Sequence, residues 1–151
     1  MPMLLLAAAL SLSPAPPLGE DWVFFGSTPL GATFVDVDSL TSDGDIRTID
    51  VLVVARGETD GIIAERGAIS FDCKSGQRRI GAGTAYDAGG KASSHGGTGW
   101  REVRPETSHA VLMDVLCTGK PFVGRHFGAR LPIREARSAM ESERTRESVV
   151  N

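Results

Sequence analysis

The chain predicts an α+β fold: a small antiparallel β-sheet of about five to six strands, one main helix at about residues 107–118 packed on it, and one disulfide. Three observations carry this reading. Short runs of period-two hydrophobicity recur from Trp22 onward, joined by glycine-rich turns without helices between them, which argues for a meander rather than βαβ units. A single broad helical stripe follows, built from Ala110, Leu112, Met113, Val115 and Leu116. The only two cysteines, Cys73 and Cys117, end the strand-like run Ile69–Cys73 and the helix-like run Ser108–Cys117.

Two cysteines on two patterned elements of an exported chain read as one structural disulfide. Closing so long a loop is worth about 4 kcal/mol in the chain-entropy model. Export is read from the first 19 residues. Met3 to Leu12 form an apolar run of roughly ten residues, too short to span a bilayer, which needs about 20, but suited to a signal-peptide core. No Lys or Arg precedes it, and cleavage after Ala15 or near Gly19 both stay open. No transmembrane span is expected. The predicted organisation is therefore a signal peptide at 1–19, a folded domain at 20–120, and a charged C-terminal extension at 121–151, partly helical or disordered. A mature chain of about 130 residues makes one domain and buries about two-thirds of its unfolded surface. The formal net charge is −3, with both signs spread along the chain. Nucleic acid and anionic membrane both ask for a clustered basic face, so neither is an expected partner.

The elements follow in order. Trp22-Val23-Phe24-Phe25 is a short apolar strand, and Ala32 to Asp38 a second, with Phe34 among β-branched neighbours. Ser42-Asp43-Gly44-Asp45 supplies an Asp-Gly reversal, where glycine tolerates positive φ. In Ile46–Ala55, Ile49, Val51, Val53 and Ala55 share one face, while Leu52 and Val54 make the other apolar as well, which marks a central strand. Gly57–Gly61 reads as a loop. Ala68–Cys73 is the next strand, with Ile69, Phe71 and Cys73 on one face. Lys74–Gln77 turns the chain into a strand from Arg78 towards Tyr86. Asp87–Gly99, rich in Gly and Ser, reads as a long loop. Thr107 or Ser108 caps the helix, Gly119 ends it and Pro121 prevents its resumption. Beyond Pro132, Ile133, Ala136 and Met140 make a thin helical stripe in an Arg/Glu-dense tail, with little core to bury.

Motifs for chemistry are sparse. Cys73, Cys117, His95, His109 and His126 lack the local pair spacing of zinc ligands, and neither a metal nor a cofactor is predicted. Ser93-Ser94-His95 lacks the strained elbow that activates a serine. Gly96-Gly97-Thr98-Gly99 lacks the Gly-Lys-Ser/Thr ending of a phosphate cradle, and Gly119-Lys120 runs into Pro121. Asp36 and Asp38 share a strand face by parity; paired carboxylates serve acid–base work when buried together, but as exposed residues they are simply solvated. Gly124–Arg130 is the one locally basic, aromatic patch. Its Arg125, His126, Phe127 and Arg130, with Arg134 and Arg137 nearby, are the candidate ligand-facing residues for an anionic group or polysaccharide.

The order of these pieces resembles the surface-adhesin protein E family of Gram-negative bacteria. The resemblance rests on Asp21-Trp22, on Phe34-Val35-Asp36-Val37-Asp38-Ser39-Leu40, on the apolar strand Ile49–Val54, on Ile69–Cys73 and Tyr86, and on Trp100-Arg101-Glu102-Val103-Arg104-Pro105 leading to a helix that stops at Cys117. The chain departs from the pattern in carrying Val51-Leu52-Val53-Val54 where a tryptophan is expected, and Pro105-Glu106-Thr107-Ser108 where Pro-Gly-Ser is more usual. The resemblance implies a small antiparallel sheet with a packed helix, exported to the envelope; the family's namesake is an outer-surface protein that binds host matrix and plasma proteins. The leading expectation is an exported, non-catalytic, adhesin-like protein of the periplasm or outer surface, whose partner is a host matrix or plasma protein or an envelope component. A periplasmic small-ligand-binding or inhibitor-type module is the alternative, and a small hydrolase using Asp36, Asp38 or His95 a third.

Overall fold

The computed structural model describes residues 20–150, with side chains to Arg146, so the leader read at 1–19 lies outside the described residues. Its strands are β1 (Trp22–Thr28), β2 (Gly31–Asp43), β3 (Ile46–Thr59), β4 (Ile62–Asp72), β5 (Gln77–Asp87), β6 (Ala92–His95) and β7 (Arg101–Glu102); the helices are α1 (Ser108–Thr118) and α2 (Ile133–Val150). The sheet is an antiparallel meander in the order β1-β2-β3-β4-β5-β6, and β7 pairs with β5 beside β6. The loop expected at Gly57–Gly61 contracts to two residues, because β3 continues to Thr59 and pairs it with Ile62. Asp60 and Gly61 both take positive φ, 51° and 78°, the handedness that matches the twist of a two-residue hairpin.

Alternation along the strands sorts the apolar residues into two cores. Trp22, Phe34, Leu52, Val54 and Ala64 form one, and their neighbours Val23, Val35, Ile49, Ile69 and Phe71 form the other. Helix α1 covers the second face with Leu112 and Leu116. Thr107 caps its start, accepting from the Ala110 N–H at 3.2 Å, and Gly119 closes its end at φ 67°. The disulfide Cys73–Cys117, with Cα atoms 5.6 Å apart, ties the last turn of α1 to the end of β4.

The C-terminal region corrects the expectation of a helix with little to bury. Ala136 and Met140 are 6% and 5% exposed and complete the first core against Trp22 and Phe34. The tail gets there by extending the sheet edge. Phe127 N–H donates to the Trp22 carbonyl at 2.8 Å, while Trp22 and Phe24 N–H donate to the Gly128 and Arg125 carbonyls, each at 3.0 Å. Gly124 allows this approach, since a Cβ there would collide with the Phe24 carbonyl oxygen. The edge of β1 is thereby covered along Trp22–Phe24.

Asp87–Gly99 also differs from its reading as a loop, because Ala92–His95 pair with Tyr86–Gly83 as β6. Ala92, Ser93 and Ser94 are exposed, so this edge strand needs no apolar alternation and leaves no periodic signal. Glu106, at the departure from the usual Pro-Gly-Ser, takes φ 62°, a conformation that favours glycine.

Two outcomes follow from this architecture. Met140→Ala lowers unfolding free energy by about 2–3 kcal/mol in urea denaturation, whereas the exposed Ser138→Ala stays within about 0.5 kcal/mol. Glu106→Gly raises stability by about 0.5–1 kcal/mol, because relief of left-handed strain exceeds the entropy glycine adds to the unfolded chain.

Candidate functional site

A cleft of about 670 Å³ lies between the start of α2 and the β4–β5 end of the sheet. Its apolar lining comes from Ile63 and Tyr86 on the strands and from Leu131 and Ile133 where the tail turns into α2. Arg130, Arg134 and Arg137 line it together with Asp87, Glu135 and Glu141. Arg130 is already engaged by Glu135. The Glu135 carboxyl is held below the usual range by its own backbone N–H at the helix start, with Arg130 and Arg134 adding to the effect. Arg137 donates weakly to the Gly57 carbonyl at 3.4 Å, and Arg134 enters no ion pair among the described residues. The arrangement combines apolar side chains with mixed charge, a composition suited to an amphipathic partner.

The four residues singled out from the sequence do not converge. Arg130 lines the large cleft, while Arg125 and Phe127 line a smaller groove of about 170 Å³ beside Phe24, Phe34 and Met140. Phe127 packs edge-on against Phe34 at 5.5 Å, and the Arg125 guanidinium sits 5.0 Å above the Phe127 ring. His126 is exposed, and its Nδ1 lies 2.7 Å from Asp21 Oδ2, at the bridge that joins the tail to β1. Three of the four thus fasten the tail to the sheet, and only Arg130 faces the main cleft. Helical spacing of Arg134, Arg137 and Glu141 was a legible sign of one charged face; Tyr86 joins them only through the fold.

The other candidates for chemistry resolve into structure. Asp36 is 2% exposed, which corrects the reading of both carboxylates as solvated, while Asp38 is exposed. Asp36 Oδ1 accepts from the Asp21 and Asp38 N–H groups at 2.9 and 3.1 Å. Ser39 Oγ donates to the Asp36 carbonyl at 2.7 Å and accepts from Asp50 N–H at 2.8 Å. These bonds sit where the β2–β3 register shifts between Asp36 and Thr41, so they replace the ladder that a bulge interrupts. Ser94 and His95 alternate to opposite faces of β6, and His95 Nδ1 instead faces the Gly96 carbonyl at 3.1 Å. No group of three His, Cys, Asp or Glu side chains is arranged to hold a metal ion among the described residues.

A family model for surface-adhesin protein E matches residues 22–118. The chain belongs to that family. Among solved structures, the crystal structure of protein E from non-typeable Haemophilus influenzae is similar at 13% identity, with a TM-score of 0.47, covering 87% of this chain and 95% of that one. No curated protein matches the chain. Membership in the surface-adhesin protein E family makes this an adhesin-like, exported protein. The matched stretch contains the Asp36–Ser39 latch, the disulfide and α1, and it ends before the tail that supplies one wall of the large cleft.

The latch predicts a graded response. Asp36→Ala leaves two backbone N–H groups without their acceptor and costs about 1–3 kcal/mol in chemical denaturation. Asp36→Asn keeps one carbonyl oxygen in place and costs less than half as much.

Proposed function

We propose that this chain is a non-catalytic adhesin displayed on the outer surface, where it binds a host matrix or plasma protein through the cleft between α2 and the sheet. The observation that carries the reading is membership of the surface-adhesin protein E family over residues 22–118. The cleft supports it. Tyr86 and the arginines Arg134 and Arg137 are the residue types that dominate protein–protein hot spots, set over an apolar floor of Ile63, Leu131 and Ile133. The structural employment of Asp36 and the separation of His95 from Ser94 favour binding over catalysis.

One observation favours a second reading, a periplasmic small-ligand module. The cleft lies between a helix and the sheet, and its volume of about 670 Å³ is within the range that small-molecule sites occupy.

Protease added to intact cells distinguishes the two. Surface display predicts loss of the mature domain while a known periplasmic protein stays intact. The purified mature chain should then bind immobilised matrix proteins, and Tyr86→Ala with Arg134→Ala should weaken that binding about tenfold or more. Protection of the domain until the outer membrane is opened would overturn the adhesin reading and promote the periplasmic one.

A further inference from the structure

A second cleft, of about 460 Å³, opens beside β5, β7 and the start of α1, lined by Arg78, Arg101, Glu102, Arg104, Thr107 and His109. We propose that this cleft binds a tetrahedral oxyanion, a phosphate or sulfate group. The sheet register makes the case. Arg78 on β5 stands directly opposite Arg101 on β7, and like charges in that position destabilise a strand pair. Arg104 adds a third guanidinium, against the single carboxylate of Glu102. None of the three arginines forms an ion pair among the described residues. Arg78 Nη1 is fully buried and has no hydrogen-bond partner among them. A buried guanidinium nitrogen left unpaired is costly, and the chain keeps it beside two further arginines.

The excess positive charge fits a dianion. Guanidinium groups present paired N–H donors to phosphate and sulfate oxygens, and converging arginines make such contacts specific as well as strong. Thr107 is otherwise engaged: its hydroxyl donates to the Arg104 carbonyl at 2.8 Å and caps α1, so it holds the cleft's floor rather than the ligand. Burial, followed by the charge of Arg78, pushes the His109 pKa down, so this imidazole is neutral at pH 7 and adds no charge of its own. The inference is independent of the adhesin reading, since it concerns an inorganic group at a different face of the molecule.

The test is titration of the ¹⁵N-labelled mature chain with sodium phosphate and with sodium sulfate, against sodium chloride at matched ionic strength. Saturable amide shifts at Arg78, Arg101 and Ser108–Ala110 are expected with one or both oxyanions and not with chloride. Arg78→Gln should weaken the binding about tenfold or more, the loss of a charge-assisted hydrogen bond. Arg101→Gln should weaken it as well, yet raise the melting temperature in chloride, because it removes the opposed like charge. Arg101→Gln and Arg104→Gln, both at exposed positions, carry the test if Arg78→Gln misfolds. Whichever oxyanion saturates identifies the group. Shifts that match chloride, or that persist unchanged in the arginine variants, would falsify the proposal.

Discussion

The constraint on which the rest of this structure depends is that its central strands are apolar on both faces. In β3, Ile49 and Val51 point to one side and Leu52 and Val54 to the other. A sheet with two apolar faces is stable only when both are covered, and a single helix covers one. Helix α1 serves the face of Ile49, Ile69 and Phe71 and is tied there by Cys73–Cys117. The other face, with Trp22 and Phe34, requires a second cover, and the tail provides it through Phe127, Ala136 and Met140. The extension beyond the family match is therefore part of the folded unit.

Polar groups are placed to serve that packing. Arg66 lies 5.1 Å over the buried Trp22 ring and donates to Glu20 at 2.8 Å and Asp50 at 3.2 Å. Burial alone would pull the Arg66 pKa down, but these carboxylates more than offset it, and the Arg66 hydrogen bond in turn holds the Glu20 carboxyl below its ordinary range. The guanidinium thus seals the rim of the Trp22 core while remaining charged. Asp36 and Ser39 do comparable service within β2, where they accept or bridge backbone groups that the bulge releases. One of the segments on which the family resemblance rests, Phe34–Leu40, thus contains an internal fastening.

The two clefts to which binding is assigned differ in character. The α2 cleft combines an apolar floor with balanced charge, whereas the cleft at the start of α1 concentrates arginine. Of the residues suspected from the basic patch, Arg130 reaches the first cleft; Arg125, His126 and Phe127 bind the tail to β1 and Phe34. Local composition identified a basic aromatic segment but not its task, because the task is set by what lies across from it. Arg78 gave no sign of its company: Arg101 and Arg104 lie more than 20 residues further along the chain, and Arg78 meets them only through the pairing of β5 with β7.

What the sequence by itself determined is local and periodic. Strand alternation, the turn at Asp43-Gly44, the cap and stop of α1, and the two cysteines at element ends all follow from chemistry within a few residues, and all are legible. Even the left-handed Glu106 coincides with the one place where the helix start departs from its usual glycine. Tertiary structure alone decided the second helix layer, the covered edge of β1, the edge strand β6 and both clefts. Each depends on partners far apart in the chain, such as Arg56 donating to the Met140 carbonyl across 84 residues, or Val23 bridged to His126. Periodicity reports which face of a segment is apolar; only the packed chain determines what that face meets.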